Sequence, residues 1–163
     1  MTTVRASVRL DWKKAIYALR ARIVAPDARA TVAIGILQGA TQDVDDGNLD
    51  SAKLIAPYAA AQEFGTKHIP PRPFLRNTYA LKKDEWVKIM GTLYALGVRD
   101  PRTILRTVGE VAKGEVKETV RAGSFTPLSP KTIKAKERKG RPEPDKPLID
   151  TASMINAIGY EVR

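Results

Sequence analysis

The sequence has no cysteine, a single histidine and few aromatic side chains, 6% of the total. Without thiols there is no disulfide framework, no cysteine nucleophile and no thiolate metal site. His68 stands alone near prolines, so a common zinc site is excluded and the residue reads as part of a turn. No apolar run approaches the roughly 18–20 residues needed to span a bilayer. The opening MTTVRASVRLDW lacks the apolar core and cleavage site of a secretory leader, so synthesis in the cytosol is expected.

Catalytic constellations are equally scarce. Asp43, Asp45 and Asp46 superficially suggest calcium ligands, but the spacing and closing Glu of a calcium loop are missing. Ser124, Ser129 and Ser153 have no base nearby in sequence, and no Gly-rich phosphate cradle occurs. A hydrolase reading would rest on carboxylates alone, such as Asp50 with Glu63, and nothing singles these out. An enzyme is not expected, and no metal or cofactor is implied.

What is present suits one domain spanning residues 1–163, with 43% hydrophobic and 28% charged residues. The net charge of +10 is unevenly spread. Residues 1–24 carry six basic side chains against one acid, whereas residues 25–66 carry two against six. Residues 99–146 are again basic. Such a chain can bind phosphates, an acidic protein surface, or copies of itself. Charge alone does not choose.

Periodicity predicts an α+β fold: several helices against a small antiparallel sheet, with one long helix after the PRPF segment. Trp12, Ile16, Leu19 and Ile23 predict an amphipathic helix over Val8 to Val24. Ala30 to Gln38 reads as a strand, and the acidic Gly39 to Asp50 as an exposed, mobile loop. A short helix is expected from Pro57 to Phe64, ended by Gly65. Prolines make Thr66 to Pro73 extended.

Leu75, Tyr79, Trp86, Met90 and Leu93 then predict a long helix from Phe74 to Leu96. Asp100-Pro101 and Ser129-Pro130 are caps followed by N1 prolines, starting a helix to Ala122 and a basic helix of about ten residues. Gly109 and Gly114 inside the first of these cost about 1 kcal/mol each, which suggests close packing there. Residues 139–147 are charged and Pro-rich, and expected to be mobile. Ile158, Tyr160 and Val162 alternate as a strand that would pair with the early one.

The basic helix and loop carry Lys131, Lys134, Lys136, Arg138, Lys139 and Arg141. With only Phe125 near them, a base-stacking platform is not expected, though contact with DNA phosphates without sequence reading is open. A small basic nucleic-acid-binding protein is therefore the alternative reading.

Two stretches carry a family resemblance. Ile55 to Leu75 reads IAPYAAAQEFGTKHIPPRPFL; Thr126 onward reads TPLSPKTIKAKERKG, a charged spacer, then KPLIDTASMINAIGYEVR. This ordered pair resembles the tail completion, or neck, and virion morphogenesis proteins of tailed bacteriophages and prophages, and Leu105 to Thr119 resembles that family's glycine-bearing helix. One departure is Ala152, where relatives more usually have glycine.

The resemblance implies a structural role in the virion, without catalysis. Copies would form a ring, often of six, that completes the tail and joins it to the head. The implied partners are the tail tube or terminator and the head connector, with no membrane. It also implies that Tyr58, Glu63, Phe64, Gly65, Pro70, Arg72, Pro73 and Phe74 form a scaffold motif. Glu63 and Arg72 are expected as a buried or subunit-bridging ion pair. Asp45 and Asp46 are expected to meet the basic face of Lys131, Lys134, Lys136, Arg138, Lys139 and Arg141 on a neighbouring copy.

Overall fold

The computed structural model describes residues 30–36, 41–42 and 53–163. The amphipathic segment expected at Val8 to Val24, and Asp45 and Asp46, lie outside the described residues. The elements are β1 (Val32–Ile36), β2 (Thr41–Gln42), β3 (Lys53–Leu54), α1 (Ile55–Phe64), α2 (Phe74–Ala95), α3 (Pro101–Ala122), α4 (Pro130–Arg138), α5 (Ser153–Asn156) and β4 (Ile158–Val162). The fold is α+β, as the periodicity predicts.

β1 and β4 pair antiparallel, with Ile34 opposite Tyr160 and Ile36 opposite Ile158. Thr31 and Arg163 exchange backbone hydrogen bonds of 2.8 and 2.9 Å, carrying the ladder past the strand ends. The expected early strand and its C-terminal partner are both present. The stretch expected as a loop after residue 39 opens differently. Thr41 and Gln42 pair antiparallel with Leu54 and Lys53, so these two residues are strand.

Both N1-proline helices form as their caps dictate. Asp100 accepts from the backbone N–H groups of Arg102 and Thr103, and Ser129 accepts from that of Thr132. Gly123, with φ of +67°, ends α3 in the left-handed conformation that suits glycine. The expected stripe is buried at Ile104, Val108, Ala112, Val116 and Val120.

Two apolar clusters hold the layers together. Phe74, fully buried, joins Ile55, Ala59, Val116, Val120, Leu148, Met154, Ile155 and Ile158, so α1, α2, α3, α5 and β4 share one core. Burial of Phe74 alone is worth about 2–3 kcal/mol. Trp86, Val108 and Ala112 form a second cluster between α2 and α3. Its polar edge is satisfied, because the Trp86 indole donates to Glu115. The buried Thr78 hydroxyl donates to the Phe74 carbonyl at 2.7 Å and lies 2.7 Å from that of Thr119.

The two helix-interior glycines part company. A Cβ on Gly109 would stand 2.3 Å from Cδ2 of Tyr160, because β4 lies directly on α3 at that point. At Gly114 a Cβ would meet nothing within 4 Å among the described residues. The expected close packing therefore holds for the first and not for the second. We predict that Gly114→Ala raises the unfolding free energy by up to about 1 kcal/mol through helix propensity. Gly109→Ala should instead lower it by about 1–3 kcal/mol, since overpacking outweighs propensity. Urea denaturation of both variants decides this; equal gains would refute the tight β4–α3 contact.

Candidate functional site

The two parts of the proline-rich motif are joined by a buried polar network. Glu63, at the end of α1, is 3% exposed and faces the start of α2. Its carboxylate accepts from the backbone N–H groups of Leu75 and Arg76 at 2.9 and 3.0 Å. Helix N-termini leave such groups without partners and favour negative charge, so Glu63 caps α2 from another element. Pro73, at the N-cap position, has no side chain that could do so. The same carboxylate pairs with the Arg76 guanidinium at 2.9 Å.

Arg72 is 4% exposed and does not pair with Glu63. Within the chain the expected buried Glu63–Arg72 ion pair does not form: each residue is buried, but each has other partners. The Arg72 side chain donates to Gln62 Oε1 at 2.9 Å, to the Thr126 carbonyl at 2.9 Å and to the Pro127 carbonyl at 3.2 Å. Its backbone N–H donates to the Gln62 carbonyl at 2.6 Å. The guanidinium, held below its ordinary pKa by burial, therefore ties the α1–α2 corner to the segment leading into α4. The prolines on either side restrict the backbone around Arg72, and Pro73, with ψ of 75°, sits at a tight turn closed by the Phe74 N–H on the Arg72 carbonyl at 2.8 Å.

Gly65 makes the corner possible. It adopts φ of +77°, and a Cβ would lie 3.0 Å from the Pro71 nitrogen and 3.1 Å from the Ile69 carbonyl oxygen. Any other residue would be strained in backbone and crowded in space.

This network gives α1 an unusual outer face. The helix buries Ile55, Ala59, Gln62 and Glu63, so two of its four buried residues are polar. Its exposed residues are Pro57, Tyr58, Ala60 and Phe64, with no charge among them. Phe64 is 68% exposed, and its ring carries the Arg76 guanidinium 5.0 Å from the centroid. Pro70 and Pro71 extend the exposed apolar surface beyond the helix.

The basic residues of the fourth helix divide into outward and inward sets. Lys131, Lys134, Arg138 and Lys139 are exposed, and the first three border a broad furrow of about 710 Å³. Lys136, expected on the same docking face, points the other way. Its ammonium donates to the carbonyl oxygens of Glu143, Lys146 and Ile149 at 3.3, 2.8 and 2.5 Å. Burial holds its pKa below the ordinary value, with Asp150, Asp145 and Glu143 opposing that effect. Arg141 is also engaged, 3.0 Å from Asp150. Within residues 139–147, expected to be mobile for want of core-forming side chains, the Glu143 and Lys146 carbonyls face Lys136.

A recess of about 110 Å³ is lined by Tyr58, Leu148, Asp150, Thr151, Ala152, Ser153 and Met154. Small-molecule sites usually need about 300–1,000 Å³, so the volume argues against one here. Tyr58 keeps part of its surface exposed but lines this recess, and the partial desolvation, reinforced by the Asp150 carboxylate, raises the pKa of its phenol. Thr151 and Ser153 hydroxyls lie 2.7 Å apart, with no histidine beside them. Ala152 holds φ of +59°, a left-handed conformation adopted here with a Cβ in place.

Among the described residues, no three His, Cys, Asp or Glu side chains converge on a metal position. No helix among them is long and apolar enough to cross a membrane. Compared with known proteins, the chain matches no family model, no curated protein and no solved structure.

The network has measurable consequences. Arg72→Met should cost about 2–3 kcal/mol in chemical denaturation, because Gln62 and two carbonyls lose their charged donor. Glu63→Gln should cost less, about 1 kcal/mol, since one acceptor oxygen remains for the α2 amides. Ala152→Gly should stabilise by up to about 1 kcal/mol through relief of the left-handed backbone. A destabilised Ala152→Gly variant would contradict the strain assigned to that turn.

Proposed function

We propose that this chain is a structural subunit of a tailed-phage or prophage virion, one that forms a ring completing the tail and joining it to the head connector. The observation that carries the reading is the outer face of α1. Soluble proteins turn charged side chains outward on surface helices and keep apolar ones in. Here Glu63 and Gln62 are turned inward to build a corner, and Phe64, Ala60 and Pro57 are left outside. An apolar patch of that kind suits burial by another protein surface. The small Ala60 permits close approach, and Phe64 supplies an aromatic anchor.

The family resemblance supports the same reading, because its EFGT-to-PRPF motif is the segment that builds this corner. A head-to-tail ring needs two different complementary surfaces on each subunit. The α1 face offers one. The exposed Lys131, Lys134, Arg138 and Lys139 offer a second, and on this proposal the acidic Asp45 and Asp46 of a neighbour oppose it. The exposed basic set also favours the rival reading, a monomeric protein that binds nucleic-acid phosphates.

Native mass spectrometry of the protein, alone and with tail tube protein, tests both. Wild-type protein should assemble into closed rings. Phe64→Glu should weaken assembly about tenfold or more while thermal unfolding stays within about 2 °C of wild type. Undiminished assembly by Phe64→Glu would sink the proposal for this face. A monomer that binds DNA with a steep salt dependence would favour the rival.

A further inference from the structure

We propose that residues 140–146 form a latch that opens as a unit apart from the rest of the fold, and that the Lys136 ammonium holds it shut. The inference stands on geometry and is independent of the ring reading.

Segment 140–146 (GRPEPDK) supplies no side chain to either apolar cluster; the chain turns inward only after it, at the buried Pro147 and at Leu148, which joins the main core. Its prolines at 142 and 144 have no N–H with which to join a ladder. What it offers is carbonyl oxygens. Those of Glu143 and Lys146, with that of Ile149 just beyond, converge on one Nζ atom. An ammonium has three donors and no acceptor, so three carbonyls saturate it.

That cation comes from the last turn of α4, which two backbone bonds also tie to the latch: Gly140 N–H to the Glu137 carbonyl and Arg141 N–H to that of Lys136. The base of the latch is crossed by Arg141 and Asp150. At 18% side-chain exposure for Arg141 and 43% for Asp150, that pair is partly solvated, and the pair of Glu143 with Lys146 more so. Exposed pairs of this kind contribute little. Lys136 is 8% exposed and bonded at three points, so it outweighs them.

The remainder of the fold does not lean on the latch in the same way. α2 and α3 pack through Phe74, Trp86, Val108 and Ala112, in clusters that take no side chain from residues 140–146. Losing the charge at 136 should free three carbonyls to water and release the segment, with the helical pair left closed. Local openings of this size, with free energies below that of global unfolding, are a general property of folded proteins.

The test is hydrogen exchange with mass spectrometry on the full chain, comparing wild type with Lys136→Met, which keeps length and removes charge. Peptides covering 140–150 should exchange about tenfold faster or more, while peptides from α2 and α3 keep wild-type rates. Unchanged exchange in 140–150 would overturn the proposal. So would equal acceleration throughout, or a failure of Lys136→Met to fold, since either makes Lys136 a determinant of the whole fold. As a second measurement, ethylammonium chloride added to Lys136→Ala should slow exchange in 140–150, and sodium chloride at the same concentration should not. Equal effects of the two salts would refute the cation's role.

Discussion

The arrangement of the chain depends on one buried guanidinium. Arg72 reaches out of a proline-stiffened corner and binds the carbonyls of Thr126 and Pro127, more than fifty residues away. These bonds tie the segment entering α4 to the corner between α1 and α2. A buried cation is tolerated only where its donors are met, and here Gln62 and two carbonyls meet them. Beside it, Glu63 supplies the α2 N-terminus with the acceptor that proline cannot. The two charges work back to back, one on a helix end and one on a loop. Neither neutralises the other.

This division of labour explains the odd surface of α1. A ten-residue helix that commits Gln62 and Glu63 to the interior has few polar residues left for its exterior. The apolar outer face is therefore coupled to the corner, and the same short motif builds the scaffold and leaves an apolar patch exposed. Charge enters at a different place, on the outward side of α4, where Lys131, Lys134 and Arg138 stand clear of the core.

The helices and the sheet were largely legible in the residues. Asp100-Pro101 and Ser129-Pro130 marked two helix starts, and the Ile104-to-Val120 stripe marked the buried face, because capping and periodicity are local signals. The polar partnerships were not legible. Glu63 and Arg72 invited pairing by sign and proximity in sequence, yet each found partners set by the three-dimensional corner. Lys136 looked like one more member of a basic face. Its inward turn depends on carbonyls contributed seven to thirteen residues later, and carbonyls are present at every residue, so they leave no mark in a sequence. Gly109 could be read as a close contact, but only the structure supplied Tyr160 as its neighbour.

The pairing of β1 with β4 also bears on when the protein can become itself. Ile34 lies early in the chain, and its partner Tyr160 is made almost last of all the residues described. Ile158, on the same strand, completes the main core. A nascent chain on the ribosome thus holds β1 without its ladder until synthesis has passed Val162. Closing so long a loop is entropically slow, though the cost grows only with the logarithm of its length. Completion of the sheet consequently reports that translation has run through β4, and prematurely terminated chains lack the strand that completes both the sheet and the main core.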